Sequence, residues 1–226
     1  MSERSRKLVL FALSGVFTAA NFMDGFREAV LARARATGWD AEAHSLMPYG
    51  DWTVPKLRQA VEVAADVCGP IVGGARAARE AARRCEGAGA ARIALLGHSG
   101  GGIAALHAAR LLALDGLDVA AIAMIGSPKR PIPAALRDKT AFLYAASDSG
   151  SAVDGVARAG LWLGRPPARI VPLRLIGGHP DYFRPAPPFV NERGASNLRI
   201  AADAAWGWVE ERLAGGGNHP QGGDCV

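Results

Sequence analysis

The chain has 226 residues and half of them are apolar, which suits one large α/β domain or two small ones with a sizeable core. Its net charge of +5 comes from arginines spread along the chain rather than from a basic run, so nucleic-acid binding is not expected. No stretch of eighteen consecutive apolar residues occurs, so no integral membrane segment is expected either. Three cysteines without a C-x-x-C pair and scattered histidines predict no metal, no cofactor and no disulfide framework, and they suit a cytoplasmic protein.

Apolar runs alternate with helix-forming segments along the whole chain. Strands are predicted at 8–13, 41–47, 93–96, 119–125, 140–146 and 170–176. Helices are predicted at 24–37, at 53–87 with a break at 68–70, after residue 99, at 153–163 and at 197–213. This alternation predicts an α/β three-layer sandwich, a mostly parallel sheet with helices on both faces. We expect a single domain over 1–214 and a disordered, glycine-rich tail over 215–226.

The N-terminal apolar run allows two interpretations. Basic residues precede Leu8–Leu13 and small residues follow it, a pattern also found in secretory signal peptides. The alternative, which we favour, is a central strand followed by Ser14-Gly15-Val16-Phe17. The favoured interpretation predicts a cytoplasmic location and an intact N-terminus.

The most informative stretch runs from Arg92 to Arg110. An apolar strand leads into Gly97-His98-Ser99-Gly100-Gly101, and an Ala/Leu-rich helix follows. The five residues fit G-x-S-x-G on a strand–turn–helix junction, which typifies a nucleophile elbow. One alternative is a glycine-rich turn in which Ser99 only caps the helix. A dinucleotide-binding turn is disfavoured because Ser99 stands where a glycine must approach the pyrophosphate.

These residues resemble the nucleophile elbow of the α/β-hydrolase family. The resemblance implies an α/β-hydrolase fold with Ser99 as the nucleophile. It also implies an oxyanion hole formed by the backbone N–H of Gly100 and one from Val16 or Phe17. The chain has Ser14-Gly15 where many members of the family have His-Gly, which leaves the second donor open.

The same resemblance implies a triad in the order nucleophile, acid, histidine. His179 follows the last predicted strand in Gly177-Gly178-His179 and is the expected base. Asp148 follows the penultimate strand and is the favoured acid, with Asp154 as the main competitor. His98 is expected to point away from the serine.

The combined features predict a lidless, lipase-like serine esterase that cleaves a carboxylic ester of a small molecule through an acyl-enzyme. An acyl-thioester hydrolase would use the same machinery, and an inactive hydrolase-fold binding protein is the alternative from another class. The aromatics beside the catalytic loops suit an apolar acyl pocket or ordinary core packing equally well. The oligomeric state is not predicted.

Overall fold

The computed structural model describes residues 6–51, 53–68, 72–86 and 91–215. Its strands are β1 (Lys7–Leu13), β2 (Asp40–Leu46), β3 (Arg92–His98), β4 (Val119–Ile125), β5 (Thr140–Ala145) and β6 (Arg169–Leu173). Its α-helices are α1 (Asp24–Ala36), α2 (Lys56–Cys68), α3 (Val72–Cys85), α4 (Gly100–Leu114), α5 (Ala134–Arg137), α6 (Gly155–Arg158) and α7 (Asn197–Gly215). None of these helices is long and apolar enough to cross a membrane.

All six strands are parallel, in the order β2-β1-β3-β4-β5-β6. Alternate residues of a strand point to opposite faces, so each strand contributes to two cores. In β1, Leu8 and Leu10 pack in the core that contains α1 and α7, while Val9 and Phe11 pack in the core that contains α3 and α4. The three-layer α/β sandwich predicted from the sequence is therefore confirmed.

The connections from β1 and β3 leave in opposite directions. The chain passes from β1 outward to β2, whereas β3 leads through α4 to β4 on the other side. Ligands of open α/β sheets bind outside the carboxyl ends of the strands at such a reversal. The loop after β1 and the turn after β3 thus meet at the place where the topology predicts a binding crevice.

Helix α2 buries two polar side chains against the rest of the protein. Gln59 and Asp66 are fully buried. The Asp66 carboxylate accepts hydrogen bonds from the Tyr49 hydroxyl and from the backbone N–H groups of Val72 and Gly73. These bonds satisfy orphan donors at the start of α3 and fix α2 against it. Besides Lys56 and Arg58, four apolar residues of α2 are exposed: Leu57, Ala60, Val61 and Ala64.

Several predicted boundaries change in the structure. The helix predicted at 153–163 is only α6, because the chain turns out of helical geometry at Ala159 (φ −69°, ψ 150°). The last strand ends at Leu173 rather than at 176. The break predicted at 68–70 falls largely on residues outside the described part, as does the tail beyond 215.

Candidate active site

Ser99 occupies a strained turn between β3 and α4. Its backbone has φ 56° and ψ −129°, a conformation that non-glycine residues adopt rarely and at a cost of about 1–3 kcal/mol. Two hydrogen bonds hold it there: the Ser99 N–H donates to the Ile125 carbonyl (3.0 Å), and the Ser127 hydroxyl donates to the Ser99 carbonyl (2.7 Å). Backbone strain that is retained in this way is typical of a functional position. Here the strained turn presents Ser99, which is partly exposed, at the edge of the sheet.

The glycines on both sides of Ser99 are required by the space available. A Cβ on Gly97 would lie 2.2 Å from the Gly101 carbonyl oxygen, and a Cβ on Gly101 would lie 2.1 Å from the Leu13 carbonyl oxygen. Both contacts are with backbone, which cannot move aside as a flexible side chain can. The nucleophile-elbow pattern found in the sequence therefore reflects close backbone approach and not composition alone.

His179 and Asp154 form a hydrogen-bonded pair at the same sheet edge. His179 lies in a 3₁₀ turn after β6, and Asp154 immediately precedes α6. The His179 Nδ1 lies 2.8 Å from the Asp154 Oδ2. The Asp154 side chain is fully buried, whereas 27% of the His179 side chain is exposed. A buried carboxylate on Nδ1 leaves Nε2 of the imidazole free to accept a proton.

The carboxylate of Asp154 has two further donors. The Val156 N–H donates to Oδ1 at 2.8 Å, and the Tyr182 hydroxyl donates to Oδ2 at 3.0 Å. Burial by itself raises the pKa of Asp154, but the hydrogen bond and charge of His179, together with these two donors, outweigh burial and hold the pKa below its usual value. Asp154 is therefore ionised at neutral pH and suited to stabilise an imidazolium.

The expectation that Asp148 orients His179 is wrong. An antiparallel bridge between Ala146 and Ala152 folds the chain back after β5 and leaves Asp148 in the exposed loop between them. There its carboxylate is fully exposed and lies 3.4 Å from Arg174. The Val153 N–H then bonds to the Ala145 carbonyl (3.0 Å), which returns the chain to the end of β5 and places Asp154 beside His179.

His98, which belongs to the elbow, packs against the imidazole ring of His179. It is the residue immediately before Ser99, and its ring stacks on the His179 ring with centroids 4.7 Å apart and an interplanar angle of 24°. The sequence predicted only that the His98 side chain would point away from the serine, and no sequence signal indicated this contact. The stack places the His179 ring directly next to the turn that carries Ser99.

The loop after β1 passes against the elbow and carries the second candidate oxyanion donor. A Cβ on Gly15 would lie 2.8 Å from the Ser99 Cβ. Of the two predicted donors, Phe17 is already engaged, because its N–H donates to Gln59 Oε1 at 2.8 Å. No described residue accepts a hydrogen bond from the Val16 N–H. The geometry thus favours Val16 over Phe17 as the partner of Gly100, whose N–H is free as the first of α4.

The aromatics expected near the acyl site divide into two groups. Tyr182 and Phe183 are buried in the core, at 0% and 8% exposure, so ordinary packing explains them. Phe17 is 50% exposed in the loop beside the elbow. Two other exposed apolar side chains, Val153 and Ile176, lie in the segments that follow β5 and β6. Within the described ranges, no group of three His, Cys, Asp or Glu residues is arranged to hold a metal ion.

The burial of His98 makes stability depend on pH. Burial, and secondarily the neighbouring His179, lower the pKa of His98 to about 3, while Asp154 and the His179 backbone oppose this. At pH values below about 6.5, the pKa of histidine in the unfolded chain, the unfolded state binds a proton at His98 and the native state does not. We therefore expect the free energy of unfolding to fall as the pH drops below about 6.5, by roughly 2 kcal/mol from His98 at pH 5.

Urea unfolding at pH 7.5 and pH 5 measures this loss. His98→Phe is the matched variant, because it keeps an aromatic ring and removes the titrating group. The variant should lose less stability between the two pH values than the wild type does. An equal loss in both proteins would assign the pH dependence to other groups, such as His107, whose pKa is also lowered by burial.

No protein-family model matches the chain, and no curated protein matches it. Among solved structures, the NocB thioesterase domain of the nocardicin cluster is 18% identical, with a TM-score of 0.52 over 92% of this chain and 94% of that one. The RedJ thioesterase of prodiginine biosynthesis in Streptomyces coelicolor is 14% identical, with a TM-score of 0.52 over 88% of this chain and 85% of that one. A Trichoderma reesei cutinase in complex with a phosphonate inhibitor is 17% identical, with a TM-score of 0.48 over 92% of this chain and 76% of that one.

At these identities the comparisons concern architecture and not activity. The two thioesterases match most of this chain at a TM-score of 0.52, so the likeness lies in the arrangement of the parallel sheet and its helices. The chain has the α/β-hydrolase fold.

Proposed function

We propose that this chain is a serine hydrolase that cleaves an ester or thioester of a small molecule through an acyl-enzyme. The observation that carries the proposal is the 2.8 Å contact between His179 Nδ1 and the fully buried Asp154 carboxylate, beside an elbow that holds Ser99 at positive φ. A histidine in a loop with no catalytic role is not expected to be hydrogen-bonded to a buried carboxylate. Ser99 is the nucleophile, His179 the base and Asp154 the acid of the proposed triad.

The reaction follows from the roles of these groups. His179 Nε2 removes the Ser99 hydroxyl proton as Oγ attacks the substrate carbonyl carbon. The N–H groups of Gly100 and Val16 donate to the oxygen that becomes negative. The tetrahedral centre collapses, the bond to the leaving group breaks, and His179 returns the proton to the departing alcohol or thiol. Water, deprotonated by His179, then attacks the acyl carbon, the bond to Ser99 Oγ breaks to release the acid, and His179 returns the proton to Oγ.

An ester is the primary substrate class, and a thioester is the second candidate. Apolar side chains follow the carboxyl ends of several strands, including Phe17 at 50% exposure beside the elbow, which favours an apolar acyl group. Both thioesterases named above share the fold at a TM-score of 0.52, and NocB was captured in a covalent complex with a fluorophosphonate analogue of nocardicin G. Turnover of matched ester and thioester series of graded acyl length would separate the two classes.

Covalent labelling by a fluorophosphonate probe tests the proposal. We expect the wild type to be labelled on the peptide that contains Ser99, and Ser99→Ala to fold normally and lose the label. Ser149→Ala is the control, since Ser149 lies exposed in the loop after β5 and outside the elbow. Labelling that survives in Ser99→Ala would remove Ser99 from the mechanism, and an unlabelled wild type would favour an inactive binding protein.

A further inference from the structure

His98 is a buried histidine that the proposed reaction does not use. Only 2% of it is exposed. Its ring is stacked on His179 and is met by three other aromatic rings, with centroids 5.2–5.3 Å away. Those three rings belong to Phe22, Tyr182 and Phe183. His98 is therefore enclosed by aromatics on several sides while one of its faces lies against the proposed base.

Neither ring nitrogen of His98 makes a hydrogen bond of good geometry with a described residue, although the His179 backbone lies close enough to favour the protonated ring. A neutral imidazole carries one N–H, and burying such a donor without an acceptor costs about 1–3 kcal/mol. Among the titratable groups around it, His179 disfavours and Asp154 favours the protonated ring, and Tyr182 meets the ring edge-on. Because burial outweighs the favourable charge of Asp154, His98 remains neutral at the pH at which His179 would work.

The Asp154 contact fixes one atom of the His179 ring but not its plane. One hydrogen bond tolerates a range of angles, so limited rotation of the ring about its own side-chain bonds remains possible, and 27% of the side chain faces solvent. Rotation would carry Nε2 out of line with the serine hydroxyl. The His98 ring, parallel to within 24° at 4.7 Å, covers one face of His179 and opposes that rotation.

We propose that His98 is a positioning residue whose neutral ring stacks on His179 and fixes the plane in which His179 takes the proton of Ser99. The inference rests on the proposed function, because it assigns His98 a role in that same proton transfer. A neutral ring is required, since a second imidazolium in contact with His179 would repel the charge that develops there. His98 itself touches no reacting atom and acts only through His179.

Two substitutions of His98 distinguish the effect of a flat aromatic ring at this position from the effect of filling the same volume. His98→Phe keeps an aromatic plane against His179, and His98→Leu fills much of the same space without one. We expect His98→Phe to retain kcat within about threefold, and His98→Leu to lose up to about a hundredfold in kcat with little change in KM, as for a misplaced catalytic group. Fluorophosphonate labelling rates should follow the same order.

A spectroscopic measurement reports on the pair directly. The proton between His179 Nδ1 and Asp154 should give a low-field NMR signal that is retained in His98→Phe and broadened in His98→Leu. In the wild type, the His98 ring resonances should not titrate between pH 4.5 and 8. That wild-type measurement is independent of whether either variant folds.

Each outcome bears on the inference. Wild-type kcat in a folded His98→Leu would overturn it, as would equal losses in both variants or a His98 ring that titrates near pH 6.5. A sharp low-field proton in His98→Leu would also count against it. If the wild type itself is not labelled by the probe, the failure is that of the proposed hydrolase reaction. Loss of kcat in His98→Leu alone, in a labelled protein, supports the positioning role.

Discussion

Asp154→Asn lowers kcat by up to about ten-thousandfold in a protein that still folds, as expected when the acid of a triad is replaced by its amide. An asparagine oriented with its amide nitrogen toward His179 would favour the wrong tautomer of the imidazole. It would also remove the charge that stabilises the imidazolium. In that orientation the Val156 N–H still donates to the asparagine oxygen and keeps the start of α6 capped, whereas the Tyr182 hydroxyl, which shares Oδ2 with His179, loses its acceptor. Steady-state kinetics with an ester substrate measure the effect.

Asp148→Asn is the matched control, the same chemical change six residues earlier in the sequence. The Asp148 carboxylate is fully exposed, and its only ion pair among the described residues is with the half-exposed Arg174. Exposed pairs of this kind contribute at most about 1 kcal/mol to stability. We expect kcat within about twofold of the wild type. If Asp148→Asn were the more damaging of the two, the carboxylate would have to be reassigned to Asp148 despite its exposure.

The parts of the site that the sequence predicted are those defined by neighbours in the chain. The elbow is predicted from a strand, the G-x-S-x-G pattern and a helix, which are consecutive within Arg92–Arg110. The conformation of Ser99, at φ 56°, agrees with that local pattern. His179 is predicted as the base because it follows a strand and two glycines. Parallel topology then brings such strand-following residues to one edge without any knowledge of their contacts.

The parts that the sequence could not give depend on contacts between distant residues. Asp148 and Asp154 both follow β5. The Ala146–Ala152 bridge, which has no sequence signature, decides which of the two carboxylates lies beside His179. The choice of Val16 over Phe17 depends on Gln59, which lies 42 residues away in the chain. The helix predicted at 153–163 contained good helix formers, but only residues 155–158 are helical, because the chain is extended at Ala159.

The elbow also makes a strong prediction about stability. Gly97→Ala places a Cβ 2.2 Å from the Gly101 carbonyl oxygen, 2.4 Å from its carbonyl carbon and 2.5 Å from the Gly102 nitrogen. These atoms belong to the backbone of the first turn of α4, which is buried against the sheet. The strand or the helix must shift to admit the methyl group, and overpacking in a core costs about 1–3 kcal/mol and occasionally more. We expect a loss of at least about 3 kcal/mol in the free energy of unfolding, because backbone cannot repack as side chains do.

Gly207→Ala is the control for the Gly97 substitution, since it adds the same methyl group elsewhere. Gly207 is an exposed residue inside α7, and a Cβ there meets nothing within 4 Å. Alanine at such a site favours the helix by about 0.5–1 kcal/mol, so the two substitutions should change stability in opposite directions. Urea denaturation of both variants, with fluorophosphonate labelling as the second readout, measures the difference. A Gly97→Ala protein as stable and as readily labelled as the wild type would show that β3 and α4 do not approach each other as closely as described, and the strained conformation of Ser99 would lose its physical basis.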